Sequence, residues 1–411
     1  MHRALLFLAA LAAAAPAGAQ VLSLDEARSR ALERQPALAA LELNARAMAD
    51  AASAEGALPD PRLKFGLLSV PTRNFPRQSW EDMTQMVVSY EQMFPGGDKR
   101  RLREARALAE AEQAKAESGG QREAIRREVA LAWLDAWQAA AAERLARQLA
   151  EEYRRAIELA QIGIASGRGS QAEVLGARQL LAQIQDRQLE LATQAERARA
   201  GLRRWVPDAG AFDLPQELPA WPAPRPVAAL AERLERHPQH AVLARAEGVA
   251  EADVALAREA SSPDRTFEVG YAFRAGMNRS DMLMFQMAFE LPAWRERKQD
   301  RLLEAKLKAA ERAREQRADQ LRQLRAELEA AHAEWRLAGE RLDNFGRATL
   351  PAASGRLETL LAAQAAGRAE LGQVFDARRQ LIEARFQEVA LRAGQAKARV
   401  GIEYFEVEAA K

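Results

Sequence analysis

From Arg265 to Arg274 the chain alternates strictly. Phe267, Val269, Tyr271 and Phe273 fall on one side, and Glu268, Gly270, Ala272 and Arg274 on the other. Period-two alternation predicts an extended strand with two unlike faces. Three more stretches follow the same scheme. Leu63, Phe65 and Leu67 alternate in the first. Met86, Val88, Tyr90 and Phe94 oppose Gln85, Ser89 and Glu91 in the second. Leu283, Phe285, Met287, Phe289 and Leu291 oppose Gln286 and Glu290 in the last. The predicted strands cover about 62–70, 84–94, 265–274 and 282–291.

Almost everything else repeats every three to four residues. Val129, Trp133, Ala136, Ala140, Leu145 and Leu149 form such a stripe, which is the packing seam of long helices. Between Asp98 and Ala165 there is no proline, and glycine occurs only at Gly119, Gly120 and Gly163. As one helix this stretch would run about 100 Å. The spacing predicts a helical hairpin over 98–206 turning near Gly167. A second covers 295–404, interrupted near Pro351 and turning near Gly367. Single helices are expected over Ser23–Ala57 and Val227–Ala260, each ended by a Pro-Asp pair. The fold class is mainly α with a small β part.

The elements come in one order, twice. ERQPALAALE at Glu33 answers ERHPQHAVLA at Glu235, and LPDPRLKFG at Leu58 answers SPDRTFEVG at Ser262. SYEQMFPGGDKRR at Ser89 answers QMAFELPAWRERK at Gln286. ASGRGSQAEVLGARQLL at Ala165 answers AAGRAELGQVFDARRQL at Ala365. Four ordered matches at nearly one offset indicate an internal two-fold repeat. Residues 20–213 form the first repeat and 227–411 the second. The proline-dense Leu214–Pro226 segment connects them.

Composition narrows the setting. Residues 1–19 read as a cleaved signal peptide: a positive start, an apolar run from Ala4 to Ala15, and a small-residue site after Ala19. No other segment is apolar for long enough to cross a membrane as a helix. There is no cysteine, which excludes disulfides, thiolate sites and a lipid-bearing N-terminal cysteine. The net charge of +2 spreads over balanced helix faces and gives no basis for nucleic-acid binding.

Strands of this length, with one apolar and one polar face, suit a membrane β-barrel with lipid outside and water inside. They equally suit two hairpins packed on a helix in a soluble protein. The signal peptide, the repeat and the long helices favour the barrel. Four strands cannot close one, and an open edge in lipid is prohibitive. The chain must then share a barrel with further copies.

In these features the sequence resembles the TolC-like outer-membrane efflux proteins over essentially its whole mature length. The closest motif is GRAELGQVFDARRQL at Gly367–Leu381, similar to that family's G-x-x-x-x-x-D-V-L-D-A-x-x-x-L turn and helix. EQMFPGGDKR and FELPAWRERK resemble its strand-to-helix exits. The resemblance implies a homotrimer whose 12-stranded outer-membrane barrel continues as a long α-helical periplasmic barrel. It implies docking on a periplasmic adaptor (membrane fusion) protein coupled to an inner-membrane RND-type pump. No enzyme activity and no cofactor are expected, and the sequence offers no nucleophile–base pair or phosphate loop.

The resemblance also assigns residues. Gly167, Arg168, Gly367 and Arg368 would sit at the periplasmic tips. Asp376 matches the motif's second aspartate, Gln373 stands at the first, and Glu173 is its counterpart in the first repeat. Leu63, Phe65, Leu67, Met86, Val88, Tyr90, Phe267, Val269, Tyr271, Phe273, Leu283, Phe285, Met287 and Phe289 would face lipid. Gln85, Ser89, Glu91, Glu268, Arg274, Gln286 and Glu290 would face the lumen.

Met83, Met93, Met282 and Met284 have lumen-facing parity, and Met277 lies beside the strands. Thioethers suit soft cations, although Met86 and Met287 on the other face need no role beyond filling space. The short chain and the FPGGDKR exit look most like the outer-membrane subunits of heavy-metal (CzcC/CusC-like) efflux systems. Drug or solvent export is the alternative cargo. His237 and His240 make a poor metal pair and are expected at the surface. A periplasmic adaptor or a secreted coiled-coil protein would also hold long helices, but neither needs four two-faced strands.

Overall fold

A computed structural model describes residues 20–72, 83–165, 171–207, 210, 212–274 and 280–407. The expected signal peptide, Met277, and the first tip with Gly167 and Arg168 lie outside the described residues. In chain order the elements are β1 (Gln20–Val21), α1 (Leu24–Glu33), α2 (Pro36–Glu55), β2 (Arg62–Leu68), β3 (Gln85–Phe94), α3 (Lys99–Ala165) and α4 (Gln171–Arg203). Then follow β4 (Phe212–Asp213), α5 (Val227–Ala231), α6 (Pro238–Glu259), β5 (Arg265–Arg274), β6 (Met282–Phe289), α7 (Gln299–Asn344), α8 (Leu350–Ala365) and α9 (Leu371–Glu403).

Two of these boundaries correct the expectation of single opening helices. Ser23–Ala57 is divided between α1 and α2, and Val227–Ala260 between α5, a 3-10 turn at Leu234–Arg236, and α6. In both cases a proline starts the second piece. Pro36 and Pro238 lack an N–H, and proline drives the residue before it out of the helical region. His237 is accordingly extended at φ −66°, ψ 137°.

Pro351 acts more gently. The helix continues through a π-turn at Phe345–Thr349, and Pro351 falls in the first turn of α8. The wider turn makes room for a ring that would otherwise collide with the carbonyl four residues back.

The chain divides into two compact units. Among the described residues, one contains 20–35, Arg122–Ala231 and Ala326–Val407. Its core is built on the apolar stripe of α3. Val129, Ala130, Trp133 and Leu134 are fully buried. The Trp133 indole donates to the Leu22 carbonyl at 2.9 Å. Beside it β1 pairs in parallel with β4, a two-residue bridge too short to leave a periodic signal in the sequence. Arg28 closes the same region on Glu403 at 2.5 Å.

The other unit contains Pro36–Gln121 and Glu232–Arg325. It holds a four-stranded antiparallel sheet in the order β2-β3-β5-β6. The PGG exit from β3 explains its glycines. A Cβ on Gly96 would lie 2.1 Å from the Pro263 carbonyl oxygen, and Gly97 has φ +57°, a value only glycine adopts freely. Asp264 fixes this corner, accepting from the Gly96 N–H and from Lys99, both at 2.7 Å.

The same unit overturns the surface placement of the histidines. His237 and His240 are 1% and 2% exposed. The His237 ring accepts from the Gln239 N–H at the start of α6. His240 Nδ1 faces the Glu235 carbonyl at 2.9 Å and therefore carries the proton. Its Nε2 accepts from Arg317 at 3.3 Å. Both rings are consumed as neutral structural partners.

Candidate functional site

The register fixes which side chains share a face. Leu63 pairs with Tyr90, and Tyr90 with Val269. Val269 pairs in turn with Phe285. Paired residues in an antiparallel sheet project to one side. One face therefore collects Leu63, Phe65, Leu67, Met86, Val88, Tyr90, Phe267, Val269, Tyr271, Phe273, Leu283, Phe285, Met287 and Phe289. All of them are exposed, from Val88 at 37% to Phe285 at 74%. Phe94 joins them, its ring edge-on to Phe267 at 5.7 Å.

The opposite face is polar and internally bonded. Glu91 pairs with Glu268, and Glu268 with Gln286. Lys64 lies between the two carboxylates. It bonds Glu268 at 2.9 Å and makes a close ion pair with Glu91. Ser89 donates its hydroxyl to Glu268. Arg62 approaches Glu91 at 3.7 Å. Gln85 pairs with Arg274 at one end of this face. Met93, Met282 and Met284 also lie here, opposite Thr266, Ala272 and Gly270. Gly270 leaves Met284 room, because a Cβ there would come within 3.1 Å of its methyl. Met83 and Glu290 fall outside the strands. The Glu290 N–H donates to the Asp264 carbonyl at 3.2 Å.

The outer strands β2 and β6 each have a neighbour on one side only. An apolar exposed face and two open edges leave the sheet incomplete as it stands. Among the described residues no helix is long and apolar enough to cross a membrane. No group of three or more His, Cys, Asp or Glu could hold a metal ion among those residues.

The outer membrane efflux protein family is matched over residues 27–206.

Solved outer-membrane channels share the fold over nearly the whole chain. VceC from Vibrio cholerae superposes with a TM-score of 0.77 at 18% identity, covering 94% of this chain and 97% of that one. CusC gives 0.77 at 14%, covering 94% and 92%. CmeC from Campylobacter jejuni gives 0.77 at 14%, covering 94% and 87%. At these identities the likeness is one of fold. No curated protein matches the sequence.

The turn between α8 and α9 is built by backbone rules. Gly367 has φ +68° and donates to the Gln364 carbonyl, while Arg368 donates to Ala363. That pair of bonds is a Schellman ending. Glu370 precedes α9, and its N–H donates to the Gln373 side chain at 3.3 Å. Gln373 thus holds half of a capping box. Asp376 is exposed and accepts from Arg379 at 3.2 Å. Glu173 lies in the first turn of α4.

The positions that recur between the two turns are mostly buried. Val174, Ala177, Val374, Ala377 and Leu381 are all under 9% exposed. Ala177 packs in one cluster with Leu149, Tyr153, Phe375 and Ile382. The repeated turn-and-helix motif is therefore largely a packing motif, with Asp376 projecting from it.

Proposed function

We propose that this chain is the outer-membrane duct of a tripartite efflux pump, a passive exit through which cargo leaves without chemistry. The observation that carries the proposal is the sheet: every member of its apolar face is exposed while its outer strands have free edges. In lipid such edges must be closed. Eight strands is the smallest membrane barrel, so more than one copy is required. We take three, giving twelve strands, from the family resemblance. The apolar face then meets lipid, and Gln85, Ser89, Glu91, Glu268, Arg274 and Gln286 line water. The partners are two further copies, outer-membrane lipid, a periplasmic adaptor protein and an RND-type inner-membrane pump.

Heavy-metal cations are the cargo we propose, with drugs or solvents as the second reading. The support is the short chain and the FPGGDKR exit. The sheet does not add to it, because Lys64 and Arg62 together balance Glu91 and Glu268. Cation preference would arise instead at the tip, from Asp376 of three copies. Asp376→Asn should then lower the cation-to-anion permeability ratio in planar bilayers, and an unchanged ratio would remove the ring.

Deleting the gene in its host tests the function. Lost resistance to one or two of Cu, Ag, Zn, Co, Cd and Ni supports both duct and cargo. Sensitivity to drugs or detergents alone keeps the duct and overturns the metal. Unchanged growth on all of them, with the protein absent from the outer-membrane fraction of the parent, overturns the duct.

A further inference from the structure

Two cavities of about 470 and 630 Å³ adjoin in the unit that holds α9. Trp335, Arg392 and Gln395 line both, so together they form one elongated groove. Each half alone is the size of a small-molecule site, and the pair suits an extended chain. At one end Trp137 from α3 and Trp221 from the 214–226 connector join Trp335 from α7. Three of the chain's seven tryptophans therefore meet there.

At the other end lies the π-turn of Phe345–Thr349, and Gly346 and Arg347 line the groove. Pro351 has no N–H to offer the carbonyls of that turn. Nothing lies within 4 Å of a Cβ placed on Gly346, so a ligand can approach the backbone closely. Turns of this kind often mark binding sites.

Gln395 stands between the two ends. It is half-buried and makes no hydrogen bond among the described residues, yet its amide is open rather than sealed. Gly339 leaves it room, because a Cβ there would come within 3.0 Å of its Nε2. Gln216 and Glu217, exposed on the connector, also have no partner among the described residues.

The charges limit the ligand. Arg336 is matched by Glu340, Arg347 by Asp343 and Arg392 by Glu388, at 2.6, 2.7 and 2.6 Å. A phosphate chain would find no surplus positive field. The walls are mostly helices, whose backbone groups bond among themselves, so an extended peptide gains no strand-like pairing. A pyranose chain fits both surfaces. The C–H face of a ring stacks on an indole, and its hydroxyls both donate and accept, as amides and carboxylates require.

We propose that this groove binds a neutral oligosaccharide in extended form. The site is independent of the duct reading, since it rests only on groups within one unit of one chain.

Titration calorimetry on the full chain tests this, in lauryldimethylamine oxide so that no sugar-headed detergent competes. The probes are cellotetraose, chitotetraose, glucose and a proline-rich decapeptide, the other ligand that aromatic grooves take. At least one tetrasaccharide should saturate at one site per chain, at least about tenfold tighter than glucose or the peptide. Trp335→Ala should weaken it about tenfold, and Gln395→Ala about fivefold. Gln395 has no hydrogen-bond partner to lose, so its variant should keep the parent's melting temperature and carries the test even if Trp335→Ala fails to fold. No tetrasaccharide binding, a peptide that binds instead, glucose as tight as the tetrasaccharide, or affinity indifferent to Gln395→Ala would overturn the site.

Discussion

Lys64 on β2 and Glu268 on β5 bond at 2.9 Å across the whole width of the intervening strand β3. The pair therefore joins strands more than 200 positions apart in sequence. It lies on the polar face, where the duct reading puts water. Lys64→Glu should raise the cation-to-anion permeability ratio of the reconstituted channel about twofold or more. The reversal potential in a salt gradient reads this directly, and an unshifted potential would mean that the face is not lumenal.

The two faces of β6 should respond oppositely to the same charge. Phe285 is 74% exposed on the apolar face, and Gln286 follows it on the polar one. An arginine facing lipid near the bilayer midplane costs about 2–4 kcal/mol in each copy. Phe285→Arg should abolish heat-resistant oligomer in outer membranes, while Gln286→Arg leaves it intact. Equal tolerance of both on a semi-native gel would sink the lipid-facing assignment.

Gly96 and Gly119 make a matched pair. A Cβ at Gly96 would meet the Pro263 oxygen at 2.1 Å, whereas nothing lies within 4 Å of one at Gly119. Gly96→Ala should destabilise by about 1–3 kcal/mol through overpacking. Gly119→Ala, inside α3, should stabilise by about 0.5–1 kcal/mol. Thermal unfolding of the purified variants gives both signs, and a destabilising Gly119→Ala would contradict the open surface there.

Acid should loosen the helices of the sheet-bearing unit. Asp253 accepts from Arg106 and from Lys306, each at 2.6 Å. Burial pushes its carboxyl up, but the bonds from Lys306 and Arg106 outweigh this and hold it below the usual carboxylate range. Glu247 is likewise lowered, chiefly by its bond from Arg317. The unfolded chain then takes up protons before the folded one. The stabilisation is complete above the unfolded value of about 3.9 for aspartate, and is lost as pH falls through the folded one. Asp253→Asn should cost about 1 kcal/mol at pH 7 and flatten the decline of melting temperature below pH 5. A decline as steep as the parent's would show that Asp253 does not contribute.

Much of the fold is legible because its signals are local. The alternation at Phe267, Val269, Tyr271 and Phe273 needs no partner to be read, and β5 spans Arg265–Arg274. The proline-free run after Asp98 is similarly plain, and α3 extends over 67 residues. The divided opening helices were written in the chain too, in Pro36 and Pro238. There the long apolar period concealed a single-residue backbone constraint.

The histidines show the limit. His237 and His240 sit in a polar-looking stretch, and their burial depends on Arg317, which arrives from another helix some 77 residues later. The same holds for the bridge between β1 and β4 and for the groove that brings Trp221 and Trp335 together.

The sequence by itself determined the periodicities, the two-faced strands, the order of elements and the glycine turn at Gly367. Each of these depends on torsion angles and side-chain alternation within a few neighbouring residues. Only the tertiary structure decided the strand order β2-β3-β5-β6, which placed Lys64 against Glu268 and lined up the alternating apolar side chains of all four strands on one exposed face. Strand pairing is a choice among distant partners with similar local propensity. It is settled by which register brings opposite charges together and like faces into line, and no short window of sequence contains both sides of that choice.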